Sequence, residues 1–193
     1  MGRELEVKFK ADAAIQAAIA GEYGPFRVIE METTYYDTPQ GTLSDRHITL
    51  RRRMENGVSV CTVKTPLADG SRGEWEVEWD KPETMVGALC AAGAPAELKA
   101  LTEGGIIAVC GAKFTRRAAD ICLDGGTAEL ALDRGILIGG SRQMQLCEVE
   151  VELKSGSDEA TLAFARQLAA RFGLQEQPHS KFRRAMGLAT GEI

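Results

Sequence analysis

Strict alternation of charged and apolar residues is the feature that most constrains how this chain folds. It occurs in residues 4–10, 74–79 and 147–153. Successive side chains of a β-strand point to opposite faces of its sheet, so each segment predicts a strand with one charged and one apolar face. The charged faces carry runs of carboxylates, which repel one another unless something cationic lies between them.

Two interpretations of these faces are open. A single strand of this kind is typical of a solvated outer surface. Three such faces in one chain favour an inverted barrel, in which the charged faces line a tunnel and the apolar faces lie outside under helices. In that arrangement we expect Leu5, Val7, Trp75, Val77, Val149 and Val151 to point outward, and Glu4, Glu6, Glu74, Glu76, Glu148 and Glu150 to point inward.

Turn signals separate the strand-like segments. Asn56-Gly57 is a strong hairpin signal, and no strand–helix–strand rhythm is present, so the sheet is predicted to be antiparallel. Without a linker or repeat, residues 1–193 are predicted to form one domain. The predicted strands are 4–10, 26–37, 48–55, 58–65, 74–79, 112–123, 128–133, 136–138 and 143–153. The predicted helices are 12–22, two short helices within 82–103, 157–172, and one after Pro178.

Composition excludes several classes of function. A net charge of −5, from 23 basic and 28 acidic residues, argues against a nucleic-acid partner. Five cysteines without a C-x-x-C pair and only two histidines argue against a Cys/His metal site. No segment has the roughly 20 apolar residues of a membrane span, and no signal peptide is recognisable, so we expect a cytoplasmic protein with reduced cysteines and no membrane partner.

The charged faces favour phosphoryl chemistry. Carboxylate oxygens are the ligands that hard cations such as Mg²⁺ and Mn²⁺ prefer. Arg and Lys side chains bind phosphate oxygens, and Arg does so with two parallel hydrogen bonds. No phosphate-binding G-x-x-x-x-G-K-[ST] loop is present, and neither His47 nor His179 lies in a recognisable nucleophile motif.

Eight ordered motifs, spread over nearly the whole chain, resemble those of the CYTH superfamily, the triphosphate tunnel metalloenzymes. The likeness is greatest to bacterial inorganic triphosphatases. The motifs are Glu4-x-Glu6-x-Lys8, Tyr35-Tyr36-Asp37-Thr38-Pro39, Leu50-Arg51-Arg52-Arg53 followed by Thr62-Val63-Lys64, Arg72-x-Glu74-x-Glu76, Arg116, Glu129-Leu130-Ala131-Leu132-Asp133, Glu148-x-Glu150-x-Glu152, and Ser180-Lys181 with Arg184.

The resemblance implies an α+β, mainly β fold: a closed antiparallel eight-stranded β-barrel with a charged interior and helices packed outside. It also implies a Mg²⁺ or Mn²⁺ cofactor and a small-molecule triphosphate as substrate. The implied catalytic residues are Glu4, Glu6 and Lys8. The implied phosphate-binding residues are Lys8, Arg51, Arg53, Lys64, Arg116, Lys181 and Arg184. The implied metal ligands are Glu4, Glu6, Asp133, Glu148 and Glu150, with Glu74, Glu76 and Glu129 for a second metal or a water.

The activity expected from this resemblance is hydrolysis of a terminal phosphoanhydride, with inorganic triphosphate as the first candidate substrate. The alternatives are thiamine or nucleoside triphosphate hydrolysis, a class IV-type adenylate cyclase, and a non-catalytic module that binds polyphosphate or nucleotide. We expect a single CYTH domain without the helical, histidine-rich CHAD domain of many relatives, and a homodimer stays open. Arg52 and Arg117 are expected on the outer face, and Glu78 and Glu152 lie at strand ends, where they are either solvated or part of the site.

Overall fold

The computed structural model describes the backbone of residues 2–3 and the whole of residues 5–67 and 72–193. These residues form one antiparallel sheet of ten strands with six α-helices and one 3₁₀ helix around it. The strands are β1 Gly2–Arg3, β2 Glu6–Lys10, β3 Arg27–Asp37, β4 Thr49–Glu55, β5 Val58–Pro66, β6 Arg72–Glu78, β7 Ile107–Leu123, β8 Gly126–Gly139, β9 Arg142–Ser155 and β10 Gln175–Glu176.

The strand order is β1-β6-β5-β4-β3-β7-β8-β9-β2-β10. The family resemblance implies eight strands, and the structure has ten. The two additional strands arise because the N-terminal segment forms both β1 and β2, and because β10 is a further short strand. The hydrogen-bonded order has two ends, so the structure does not confirm a closed barrel. The N-terminal segment nevertheless pairs on both sides: β1 pairs with β6, and β2 pairs with β9.

The predicted helices lie where the sequence places them, whereas the short α2 was not predicted. The side chain of Asp12 caps α1, and that of Ser157 caps α5, which stops at Gly173 in the left-handed conformation. Among the described residues, no helix is both long and apolar enough to cross a membrane. The α-helices are α1 Ala13–Glu22, α2 Thr42–Asp45, α3 Met85–Ala91, α4 Glu97–Leu101, α5 Asp158–Phe172 and α6 Lys181–Thr190, and the 3₁₀ helix is Pro82–Thr84.

Two apolar clusters cover the outer face of the sheet. Val149 and Val151 pack with Ile19 of α1 and Leu168 of α5. Trp75 packs with residues of α3 and α4, including Met85, Leu89 and Leu98. Val7 packs against the first cluster and Val77 against the second. These alternating apolar residues therefore lie outside under helices, as predicted.

Helix α6 corrects the prediction that the helices pack outside. Its Ala185 and Leu188 join a third cluster with Phe114, Leu137 and Leu146. By strand alternation these three lie on the face that carries Arg116, Asp133 and Glu148. The inner face changes from charged to apolar along β7, β8 and β9, so one part of it accepts a helix. Helix α6 packs on the apolar part of the inner face.

Strands β7 and β8 are longer than predicted, and a glycine explains one error. The sequence predicts a break at Arg134-Gly135, but β8 continues through it. A Cβ built at Gly135 would lie 2.1 Å from the main-chain oxygen of Lys113. The glycine permits a close approach of β7 rather than a turn.

Candidate functional site

The inner face encloses a cavity of about 630 Å³ with strongly charged walls. Its lining comes from β2, β4–β9 and α6, together with β3. Among the predicted site residues, those that line it are Glu6, Lys8, Arg51, Arg53, Lys64, Glu74, Glu76, Arg116, Glu129, Glu150 and Lys181. Asp133 and Glu148 are buried directly behind this lining, where they pair with Arg116, Lys181 and the half-buried Arg184. Glu4 lies outside the described residues.

Arg116 binds Asp133 through two parallel hydrogen bonds. Its Nε and Nη2 donate to the two carboxylate oxygens, at 2.8 and 2.7 Å. Nη2 also contacts Glu150, and Nη1 lies 3.5 Å from Glu129 Oε1. Burial alone would lower the pKa of Arg116, but Asp133 and Glu150 outweigh it and raise that pKa well above its usual value. Arg116 is therefore a permanent cation in a ring of carboxylates.

Lys181, the first residue of α6, joins the same network. Its Nζ lies 2.8 Å from Asp133 Oδ2 and 2.6 Å from Glu150 Oε1, and it contacts Glu148. Arg184, one turn along α6, contacts the other oxygen of Glu148. Burial opposes the charge of Lys181, yet its carboxylate partners raise its pKa above the usual value. Helix α6 thus places two cations against Asp133, Glu148 and Glu150. The part of the inner face that these three residues form is called the acidic wall.

Asp133, Glu148 and Glu150 form a group of oxygen donors. One carboxylate oxygen from each lies within 4.8 Å of the others, and all three residues are buried. Asp133 lies opposite Glu148 in the β8–β9 ladder, which explains how two strands bring them together. Glu74, Glu76 and Glu129 form no such group among the residues that the structure describes. Asp133, Glu148 and Glu150 are therefore the part of the predicted metal set that the fold brings together.

Glu6 and Lys8 of β2 extend the acidic wall. Both residues line the cavity, and Lys8 Nζ lies 3.7 Å from Glu6 Oε2. Burial, together with the charge of Glu150, raises the pKa of Glu6 well above its usual value. The cations Lys181 and Arg116 hold the pKa of Glu150 well below its usual value, against the effect of burial. The two carboxyl groups thus share one proton more readily than they carry two negative charges.

The opposite wall, on β4, β5 and β6, carries further ion pairs. Arg51 Nη2 lies 3.7 Å from Glu74 Oε1 and 3.8 Å from Glu76 Oε1, and Lys64 Nζ lies 3.3 Å from Glu74 Oε1. Arg53, on the same face as Arg51, contacts Glu55. The described pairs of Arg51 and Lys64 with Glu74 are longer than the contacts of Arg116 and Lys181, whereas Arg53 and Glu55 are in close contact. This wall therefore brings three basic side chains to the cavity beside three carboxylates.

Four charged residues of the cavity wall are absent from the predicted set: Arg27, Glu55, Arg72 and Lys154. Glu55, Arg72 and Lys154 each share a strand face with predicted residues, so the period-two pattern could have identified them, whereas the strand of Arg27 carries no predicted site residue. The sequence does not decide whether Glu78 and Glu152 belong to the site. Glu152 lines the cavity, whereas Glu78 is exposed and does not.

Other motif residues are structural. Asp37 is 2% exposed and accepts hydrogen bonds from the backbone N–H groups of Thr38, Leu43 and Ser44, and from the Ser44 hydroxyl. It therefore ties α2 to the end of β3. Arg52 donates to the Ser59 hydroxyl on the outer face, so it lies away from the cavity, as expected.

Arg117 also lies on the outer face, where its guanidinium stacks on Phe26 at 5.2 Å from the ring centroid. It is exposed and does not line the cavity. The charge that this position could have supplied to the site is therefore absent from the inner face, as its strand parity predicts.

Residues 2–186 match the CYTH domain model. The chain belongs to the CYTH family. An inorganic triphosphatase of Haemophilus influenzae is 26% identical over 202 residues, covering 100% of this CYTH chain and 57% of that protein. The chain thus spans little more than half the length of this relative.

Two solved structures share the fold of this CYTH chain. One is a candidate adenylyl cyclase from Hippeastrum with a dominant triphosphatase activity, 19% identical, with a TM-score of 0.65 over 98% of this chain and 97% of that one. The other is a candidate adenylate cyclase from Bacillus halodurans, 20% identical, with a TM-score of 0.62 over 95% and 98%. At these identities the likeness concerns the fold.

Proposed function

We propose that this CYTH protein hydrolyses a terminal phosphoanhydride of inorganic triphosphate, giving diphosphate and phosphate, with Mg²⁺ or Mn²⁺ as cofactor. One observation carries the proposal: a single cavity has Glu150 on one wall, with the buried carboxylates of Asp133 and Glu148 grouped behind it, and Arg51, Arg53 and Lys64 on the other wall. Phosphoryl transfer needs the phosphates held and their charge neutralised, and these two walls supply both functions.

The chemistry of the donor set fits a hard divalent cation. Asp133, Glu148 and Glu150 offer only oxygen atoms, and Glu148 Oε1 is buried and accepts no well-oriented hydrogen bond, although Lys181 lies close to it. Glu6 adds a fourth carboxyl group next to Glu150. These residues would hold the cation, which would polarise phosphate oxygens and help to position the attacking water.

The cations of the acidic wall must exchange partners for this to happen. Lys181 and Arg116 occupy the same oxygens of Asp133 and Glu150 that a metal ligand set would use. A triphosphate offers these side chains phosphate oxygens instead, and their departure frees the carboxylates as ligands. Triphosphate and divalent cation should therefore increase each other's affinity, because each takes one half of an existing set of ion pairs.

Arg51, Arg53 and Lys64 would hold the phosphates from the other side of the cavity, and Lys8 would do so from the acidic wall. Their ion pairs with Glu6 and Glu74, where described, measure 3.3–3.7 Å. Arg53 is half-buried, and this burial together with the neighbouring charge of Arg51 lowers its pKa from the usual value. A phosphate anion beside these two guanidinium groups would relieve their mutual repulsion.

The cavity wall also has an aromatic part, which favours a second candidate substrate. Tyr35, Phe114 and Phe182 line it, and the rings of Tyr35 and Phe182 lie 5.1 Å apart. A nucleoside or thiamine triphosphate would place an organic ring there. However, Tyr35 and Phe114 are only 4% and 6% exposed, so they offer little free ring surface for stacking. Inorganic triphosphate remains the preferred substrate.

The cavity is proposed to be a closed tunnel. The support is the N-terminal segment, whose β1 pairs with β6 while its β2 pairs with β9. The same short segment thus contacts both long edges of the sheet. Closure would exclude bulk water and strengthen the charge interactions between the walls and the phosphates.

Phosphate release from a panel of substrates tests the proposal. The purified chain is given inorganic triphosphate, ATP or thiamine triphosphate, each with Mg²⁺, Mn²⁺ or excess chelator. We expect release from inorganic triphosphate with either metal and none with chelator. Faster hydrolysis of ATP or thiamine triphosphate would favour the second candidate, and undiminished hydrolysis in chelator would rule out the metal-dependent mechanism.

A further inference from the structure

Helix α1 carries one buried polar side chain that the proposed chemistry does not use. From Ala13 to Gly21 this helix is built of Ala, Ile and Gly, apart from Gln16. Gln16 is 6% exposed. A buried amide in an otherwise apolar helix requires hydrogen-bond partners, and their identity indicates what the residue does.

The partners of Gln16 are main-chain atoms of the acidic wall. Its Nε2 donates to the carbonyl oxygen of Asp133 at 2.9 Å and to that of Glu148 at 3.0 Å. Asp133 and Glu148 lie directly opposite each other on β8 and β9. Their side chains point to the inner face, where both contact Lys181. One amide group thus bridges the two strands at the residue pair that projects two of the three clustered carboxylates.

The helix that carries Gln16 is itself fixed on these strands. The backbone N–H of Ala11 donates to the Cys147 carbonyl at 3.3 Å. Ile19, which is fully buried, packs in the same outer cluster as Leu132 and Val149. The amide therefore acts from a rigid support on the outside of the sheet.

We propose that Gln16 is a positioning residue for the divalent-cation site. It fixes the main-chain separation of Asp133 and Glu148, and thereby the spacing of their carboxylates on the other face of the sheet. The inference rests on the proposed function. Metal–ligand distances tolerate deviations of only about 0.2 Å, and outer hydrogen-bond partners of metal ligands typically change metal affinity by about 10–100-fold.

The variant Gln16→Met tests the role, with Thr161→Val as a matched control. Met keeps the length of the side chain but donates no hydrogen bond. Thr161 is a fully buried polar residue of α5, on the same outer side of the sheet, and its hydroxyl bonds the Ser157 carbonyl within its own helix. Both variants remove a buried polar group, but only Gln16→Met removes a link to the acidic wall.

Titration calorimetry with Mn²⁺, without triphosphate, is the readout. We expect both variants to melt at lower temperature, Gln16→Met to bind Mn²⁺ about tenfold more weakly, and Thr161→Val to bind within twofold of the native chain. Equal Mn²⁺ affinity in Gln16→Met and the native chain would overturn the positioning role alone, as would equal weakening in both variants. A native chain that binds no Mn²⁺, either alone or with a non-hydrolysable imido analogue of triphosphate, would overturn the proposed function as well.

A measurement on the native chain covers the case in which Gln16→Met does not fold. The side-chain amide of Gln16 gives its own ¹⁵N–¹H NMR signals, which should shift when Mg²⁺ saturates the protein, because the amide is bonded to the residues that hold the cation. Unchanged Gln16 signals at saturating Mg²⁺ would overturn the inference.

Discussion

Replacing Lys181 by Met tests the ion-pair exchange on which the proposed mechanism depends. Lys181 Nζ contacts three carboxylates, those of Asp133, Glu148 and Glu150, whose side chains are 0–7% exposed. Met has a similar length but no charge. The variant leaves these carboxylates with Arg116 and Arg184 as their remaining cations in the cluster. It should lose stability and, at the same time, gain affinity for a divalent cation.

The magnitude follows from the burial of the cluster. Removing one partner of a buried ion pair costs about 3–5 kcal/mol, and Arg116 and Arg184 should keep the loss near the lower end. For a chain of this size about 3 kcal/mol lowers Tm by about 6–12 °C. A cation at about 100 times its Kd returns about 2.7 kcal/mol, which is about 5–11 °C.

Differential scanning calorimetry with and without Mn²⁺ provides the assay, and Lys154→Met provides the control. Lys154 also lines the cavity, but among the described residues it forms an ion pair with Glu152, at 2.9 Å, and its side chain is 41% exposed. Exposed pairs contribute about 0–1 kcal/mol, so this variant should melt close to the native chain. If Mn²⁺ raised the Tm of Lys181→Met no more than that of the native chain, the exchange mechanism would be wrong.

Three further predictions concern single residues elsewhere. Arg53→Ala should lower kcat/KM for triphosphate about tenfold to hundredfold, since a charge-assisted contact contributes about 1.5–3 kcal/mol. The control Arg52→Ala, on the outer face, should keep a kcat/KM near the native value. Equal losses in both variants would contradict the assignment of faces. Asp37→Ala should destabilise the fold by about 3 kcal/mol or more in chemical denaturation, because four hydrogen bonds to a buried carboxylate are lost, while the folded fraction keeps its kcat. Burial raises the pKa of Cys61 to about 11 and that of Cys110 to about 12. Because the folded state favours the neutral thiols, the free energy of unfolding should fall as pH rises above 9. A thiol reagent at pH 8 should modify both residues only after unfolding.

The sequence predicts the acidic wall because its signal is local. Period-two alternation puts Glu148 and Glu150 on one face whatever the rest of the chain does. The Asn56-Gly57 hairpin and the capped helices α1 and α5 are predicted for the same reason. Each depends on a few neighbouring residues.

The interior position of α6 depends on more distant information. Following the inner-face positions along β7 and β9 leads from Arg116 to Phe114 and from Glu148 to Leu146, and this change shows where an apolar helix fits. The pairing of Arg27 with Glu129 depends likewise on the registers of β3, β7 and β8, which no local pattern fixes. The Asp37 motif was visible, but its structural role follows from the conformation of α2.

A crystal structure with Mn²⁺ and a non-hydrolysable imido analogue of triphosphate tests the central claim most directly. The account predicts an anomalous Mn²⁺ peak within coordination distance of Asp133, Glu148 and Glu150. It also predicts phosphate oxygens bound by Arg51, Arg53 and the displaced ammonium group of Lys181. A triphosphate bound outside this cavity, or Lys181 still paired with all three carboxylates beside a bound triphosphate, would contradict it.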